Sequence, residues 1–215
     1  MRGISFGGLH SYRDFGLLLV SAELGSPTVK ERKIEIEGAD GFLDLTDFFG
    51  EAKYEDVIHK FSFATTAPQD TFPALFSRIK NALHGKKERV ILDDDPSFYY
   101  LARLKVSSFT NGKGAGYVNI DAECEPYKYK LTKTTVTRAI SGTVTITLTN
   151  GRKRAVPVVT VQTTGSLNIV FKSSNIWDLG KGSYTLPELE LVRGVNTVTV
   201  TGTGTITFEW QEGDL

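Results

Sequence analysis

The residues of this chain that could do chemistry are three histidines (His10, His59 and His84), one cysteine (Cys124) and the run Asp93-Asp94-Asp95. No histidine stands at a metal-ligand spacing from another histidine or from Cys124. A Ser-His-Asp triad assembles in space, so spacing alone is silent on it, but the chain has no nucleophile-elbow motif. His84 is read as part of the last turn of a helix, where its partial positive charge suits the negative helix end. Asp93-Asp94-Asp95 offers hard oxygen ligands to a hard cation. It lacks the loop spacing and glycine of a calcium loop, and with Pro96 behind it the run reads as a solvated turn. Gly112 to Gly116 is glycine-rich, but no helix follows to complete a phosphate cradle. Cys124 falls on the apolar face of a strand and reads as a buried, inert thiol. No catalytic, metal-binding or cofactor-binding residue is assigned, no cofactor is expected, and the chain is not read as an enzyme.

The aromatic residues divide differently. Trp210 shares the apolar face of Ile206 and Phe208 and belongs to a core. Trp177 lies in Ser174-Asn175-Ile176-Trp177-Asp178-Leu179-Gly180, which has no strand alternation, and is the candidate platform for stacking on a sugar ring. Phe48 and Phe49 are adjacent in an expected loop. Neighbouring strand residues point to opposite faces, so both are hard to bury in one small sheet, and they are the candidate contact with a neighbouring subunit.

Whole-chain quantities exclude several classes. Lys+Arg and Asp+Glu both number 25, so there is no basic excess to neutralise the phosphates of a nucleic acid. No apolar run approaches the ~20 residues that span a bilayer, so no membrane partner is expected. The segment Met1 to His10 has no apolar stretch of a secretory signal. A single cysteine rules out an intrachain disulfide framework and suits synthesis in a reducing cytoplasm.

The elements that must position these residues are mostly strands. Residues 1–130 hold 11 of the 13 Phe, whereas residues 131–215 hold 18 Thr against 6 before them. Two core-building habits predict two domains, 1–129 and 130–215, with the boundary shortly after Glu125-Pro126. In the first, Ile34 to Thr46 reads as a half-buried hairpin turning at Asp40-Gly41. Val57 to Ala64 alternates as a strand, as do the stretches about Leu104 and Ile120. Phe72, Leu75, Phe76, Ile79 and Leu83 form the stripe of one helix over about 71–84, with Asp70 or Thr71 capping its start and Gly85 ending it. In the second, Val, Ile and Leu alternate with Thr, Asn150-Gly151 reads as a hairpin turn, and Gly202-Thr203-Gly204 as a chain reversal. The predicted class is mainly β, an N-terminal sandwich-like domain with one helix and a C-terminal β-sandwich.

One ordered series of motifs carries a resemblance. Phe6-Gly7-Gly8, Asp14-Phe15-Gly16-Leu17, Gly38-Ala39-Asp40-Gly41 and Leu43-Asp44-Leu45-Thr46 come first. Leu83-His84-Gly85-Lys86-Lys87, Ile91 to Tyr100, and Ala122 to Tyr129 follow, and the chain closes on Leu189 to Asn196 and Gly202 to Phe208. Over essentially its whole length the chain resembles the distal tail proteins of long-tailed, siphovirus-type phages and prophages of Gram-positive bacteria. The resemblance implies a galectin-like, jelly-roll C-terminal sandwich, a homohexameric ring at the virion tail tip, and synthesis in the host cytoplasm. Its implied partners are further copies of itself, the tail tube protein, the tail-associated tip protein and, in many phages, receptor-binding proteins. The alternatives are a cell-wall carbohydrate-binding module and a wall hydrolase, the latter needing a carboxylate pair or metal that the sequence does not display.

Overall fold

In the computed structural model, which describes residues 2–48, 50–112 and 114–215, the expected strands pair into antiparallel sheets and the chain is mainly β. It divides into two compact units, Met1–Lys128 with Leu215, and Tyr129–Asp214.

The first unit opens with β1 (Ile4–Phe6) and β2 (Leu9–His10), joined through Gly7 and Gly8, both at positive φ. A one-turn helix, α1 (Ser11–Phe15), and β3 (Leu18–Glu23) follow. The short strands β4 (Lys33–Glu35) and β5 (Phe42–Asp44) pair only with each other. Then come β6 (Val57–Thr65), α2 (Phe72–Leu83), β7 (Lys87–Leu92), β8 (Phe98–Gly112) and β9 (Ala115–Lys130). The main sheet runs β2-β1-β7-β8-β9-β6-β3. Three strands separate β1 from β6, yet Phe6 sits edge-on to Phe61 at 6.1 Å and to Phe63 at 6.2 Å. The sheet is therefore curled around its own core, with Phe6, Phe61, Phe63, Leu104 and Ile120 inside.

Helix α2 packs its predicted stripe against β8. Phe72, Ile79 and Leu83 are fully buried, whereas Leu75 and Phe76 are half-buried, so the stripe is deepest at its ends and at Ile79. Its N-cap is Thr71, but the hydroxyl donates to the Pro68 carbonyl at 2.6 Å and caps no helical N–H. Gly85 takes φ 80° just beyond the helix end, as expected.

Two expectations need correction here. The sequence reading has one helix, and α1 is a second. Its N-cap is a histidine, a residue that carries no capping signal in the usual sense. The hairpin at Ile34 to Thr46 exists, with Ile34 opposite Leu43, but it is not half-buried: all six residues of β4 and β5 are exposed. Among the described residues no second layer covers these strands, so alternation selects faces that are both wet.

The second unit contains β10 (Thr134–Asn150), β11 (Val158–Gln162), β12 (Leu167–Phe171), β13 (Ser174–Leu179), β14 (Gly182–Thr185) and β15 (Gly194–Trp210). Strands β10 and β15 pair without interruption from Thr134↔Trp210 to Asn150↔Gly194. The other edge of β15 is shared: residues 198–202 pair with β12 and residues 205–209 with β11. Asn150-Gly151 is thus no hairpin turn, because β10 and β11 are not neighbours. Asn150 is instead buried, its amide donating to the carbonyls of Lys153 and Leu191.

Gly202-Thr203-Gly204 is likewise no chain reversal. The ladder runs straight through it, and the even residues of β15 keep facing inward from Asn196 to Trp210. Gly202 and Gly204 lie on that inward row at φ 137° and 155°. They form a crease about which one sheet folds toward its own apolar face. Leu167, Ile169, Val198 and Val200 from one half and Val159, Val161, Ile206, Phe208 and Trp210 from the other belong to a single core. The result is sandwich-like, built by folding one sheet.

Candidate functional site

The histidines are structural. His10 is buried, and its Nδ1 accepts the N–H groups of Tyr12 at 3.2 Å and Arg13 at 3.3 Å. Nδ1 therefore bears no proton, and Nε2 donates to Asp93 Oδ2 at 3.1 Å. His59 points into the core. Its Nδ1 accepts the Gly25 N–H at 3.2 Å, and its ring lies edge-on to Tyr100 at 4.6 Å. Nε2 is buried with no hydrogen-bond partner among the described residues, and burial lowers the pKa below that of an ordinary imidazole. His84 is the residue after α2 and forms its C-cap, not part of its last turn. Its Nδ1 accepts the Val106 N–H at 3.2 Å, which ties the helix end to β8.

Asp93, Asp94 and Asp95 each meet a different partner. Asp93 accepts from His10, Asp94 pairs with Arg2, and Asp95 with Lys128 at 2.8 Å. The run is a turn pinned by three separate contacts, and among the described residues no group of His, Cys, Asp or Glu could hold a metal. Gly112 ends β8 and Gly116 lies near the start of β9, with Gly114 before β9 at φ 84°. Cys124 is fully buried, donates to the Ala122 carbonyl, and has its pKa pushed up to about 12, chiefly by desolvation. Among the described residues no helix is long and apolar enough to cross a membrane.

What the structure leaves facing outward are surfaces. Phe48 is 71% exposed beyond β5, and Phe49 lies outside the described residues. Ile34, Ile36, Phe42 and Leu43 on the same arm are exposed as well. Sequence reasoning singled out Phe48 but missed the exposure of the rest of the arm, since exposure depends on what lies overhead. A groove of about 820 Å³ opens between α1 and the first half of α2, with Arg13, Arg78, Phe15 and Leu75 in its walls. Arg78 donates to the Asp14 carbonyl at 3.0 Å and lies over the Phe15 ring. Strand β3 ends the sheet on one side, with Val20 and Leu24 exposed. In the second unit Trp177 is 61% exposed on β13, whereas Trp210 is buried, as expected.

No protein-family model matches the sequence, and neither does any curated protein. Among solved structures, the chain superimposes on the crystal structure of phage SPP1 Dit with a TM-score of 0.76, over 100% of both chains and at 14% identity. The two share one fold. SPP1 Dit is described as a paradigm of the hub adsorption apparatus in phages infecting Gram-positive bacteria. The fold is therefore matched over the full length of both chains, at an identity where sequence comparison is silent.

Proposed function

We propose that this chain is a structural component of a phage tail tip, a hub subunit whose copies close a ring between the tail tube and the tip proteins. The observation that carries the reading is the end-to-end fold match to SPP1 Dit. The surfaces of the first unit support it. A ring is built by one repeated heterologous contact, so each subunit needs two different, complementary patches. The β4–β5 arm is one. A two-stranded hairpin with apolar side chains in water is marginal alone and gains by burial against another body. Residues 31–51 of the arm also hold seven acidic and two basic residues. The groove between α1 and α2 offers the complement, with Arg13 and Arg78 beside the apolar Phe15 and Leu75. The arm of one copy seated in the groove of the next gives the head-to-tail contact of a ring of six.

In this reading the chain works at the virion tail tip after synthesis in the host cytoplasm. It is not an enzyme. It engages the tail tube protein, the tail-associated tip protein and receptor-binding proteins, and no nucleic acid or membrane.

Light scattering on a sizing column tests this. The expected species is near six times 23.7 kDa, or a monomer converting to it as concentration rises. Phe42→Asp with Phe48→Asp should shift the balance to monomer while leaving the circular dichroism unchanged, and Arg13→Glu should do the same more weakly. A chain that stays monomeric at every concentration, with tail proteins added, sinks the hub reading. A ring that survives the arm variant sinks the arm contact.

A further inference from the structure

The second unit carries an exposed aromatic residue, Trp177, that the proposed ring contact does not use. Between β12 and β13 the register runs Leu167↔Leu179 and then Ile169↔Ile176. One residue of β12, Asn168, therefore faces two of β13, Trp177 and Asp178. This is a β-bulge, a device that re-aims side chains. Asp178 holds it in a left-handed conformation, φ 59°, which strains a non-glycine residue. The effect is to turn two consecutive side chains outward: Trp177 and Asp178 are both exposed, while Ile176 and Leu179 on either side pack into the core.

The bulge is tied in place. The Asp178 N–H donates to Asn168 Oδ1 at 2.9 Å, and Ser166 Oγ donates to Asp178 Oδ1 at 3.3 Å. Asp178 Oδ2 is left as an acceptor and Asn168 Nδ2 as a donor, neither with a protein partner among the described residues. The same row continues across the sheet. Asn168 pairs with Thr201 and Thr201 with Thr143, two exposed threonines whose hydroxyls bond each other at 3.1 Å. An indole face, a carboxylate, an amide and two hydroxyls thus stand in one line on a sheet surface.

That combination matches a pyranose. Its C–H face is apolar and packs on an indole, while its equatorial hydroxyls each need a donor or an acceptor. The row contains a carboxylate and no Lys or Arg, which disfavours anionic sugars and phosphates. We infer that this row is a binding site for a neutral glycan chain, with Trp177 stacking one sugar ring and Asp178 and Asn168 taking its hydroxyls. The site needs only one subunit and does not rest on the ring, so either reading can fail without the other.

The chain's two tryptophans make the test direct. Trp210 is 2% exposed, so collisional quenching by acrylamide reports Trp177. The full-length protein is titrated with hexasaccharides of glucose, galactose and N-acetylglucosamine and with neutral polysaccharide from a Gram-positive wall. At least one should shield Trp177 saturably and shift its emission to the blue. By calorimetry, Trp177→Ala should weaken that glycan about tenfold or more and Asp178→Ala several-fold. Thr137→Ala, an exposed threonine on the other half of the folded sheet, should change nothing. Failure of every probe to shield Trp177 overturns the proposal. So does a glycan bound equally well by Trp177→Ala, or shielding of Trp177 by an added tail protein and by no glycan.

Discussion

Replacing Gly204 or Gly202 with alanine should damage the second unit far more than the same change at their neighbour Gly142. The three glycines share the crease, and Gly142 pairs directly with Gly202. Gly142 has φ 77°, and a Cβ built there meets nothing within 4 Å. Its replacement incurs only the left-handed penalty, partly offset by a stiffer unfolded chain, for a net loss of about 1 kcal/mol. At Gly202 the added carbon falls 2.7 Å from the Ser166 carbonyl oxygen, and at Gly204 2.5 Å from that of Gln162. Both oxygens belong to backbone that cannot swing aside as a side-chain tip can. Their φ values of 137° and 155° also lie where only glycine is at ease. Strain and overpacking together predict losses of about 3–5 kcal/mol at each. Gly165, with nothing within 4 Å, is the control and should stay within about 0.5 kcal/mol. Urea unfolding followed by the emission of buried Trp210 measures all four. If Gly204→Ala loses no more than Gly142→Ala, the crease does not depend on the missing side chains and the account of the folded sheet is wrong.

The other expectations concern the first unit. Ile79→Ala should cost about 3–4 kcal/mol by scanning calorimetry and the half-buried Leu75→Ala about 1–2 kcal/mol; equal losses would mean that α2 is not docked as described. The Cys124 thiol should resist a bulky disulfide reagent at pH 8 until denaturant is added, because it is fully buried and its pKa is pushed up to about 12; stoichiometric labelling of the folded chain would contradict this. Burial lowers the His59 pKa, so the unfolded chain takes up that proton more readily than the folded one. The stability it contributes is complete above a pH of about 6.5 and is lost as pH falls below it, at no more than about 1.4 kcal/mol per pH unit. His59→Gln should flatten the decline between pH 7 and pH 5, and an identical decline in variant and parent would assign it to other groups.

Periodicity made some of this protein legible without coordinates. The spacing of Phe72, Ile79 and Leu83 marks a helix because residues three and four apart share a side whatever the surroundings. Cys124 could be placed inside because Val118, Ile120 and Ala122 share its strand face. The Asp93 to Asp95 turn was legible from its residue types, though the partners that hold it, His10, Arg2 and Lys128, come from distant parts of the chain. What local pattern leaves open is what lies opposite each face. Ile34 and Phe42 alternate as well as any core strand, yet both are exposed. Asn150-Gly151 has the composition of a tight turn, but β10 had already found its partner in β15. Gly202 and Gly204 read as punctuation because glycine favours turns. They serve instead as the crease of a continuous strand, where backbone approaching from the β11–β12 connection leaves room for a hydrogen and nothing more. Trp177 faces outward beside one extra residue in β13, a bulge visible only once β12 supplied the register. Each of these outcomes was set by long-range pairing, since a side chain's periodicity chooses the direction it points and only the folded chain decides whether water, backbone or another strand is there to meet it.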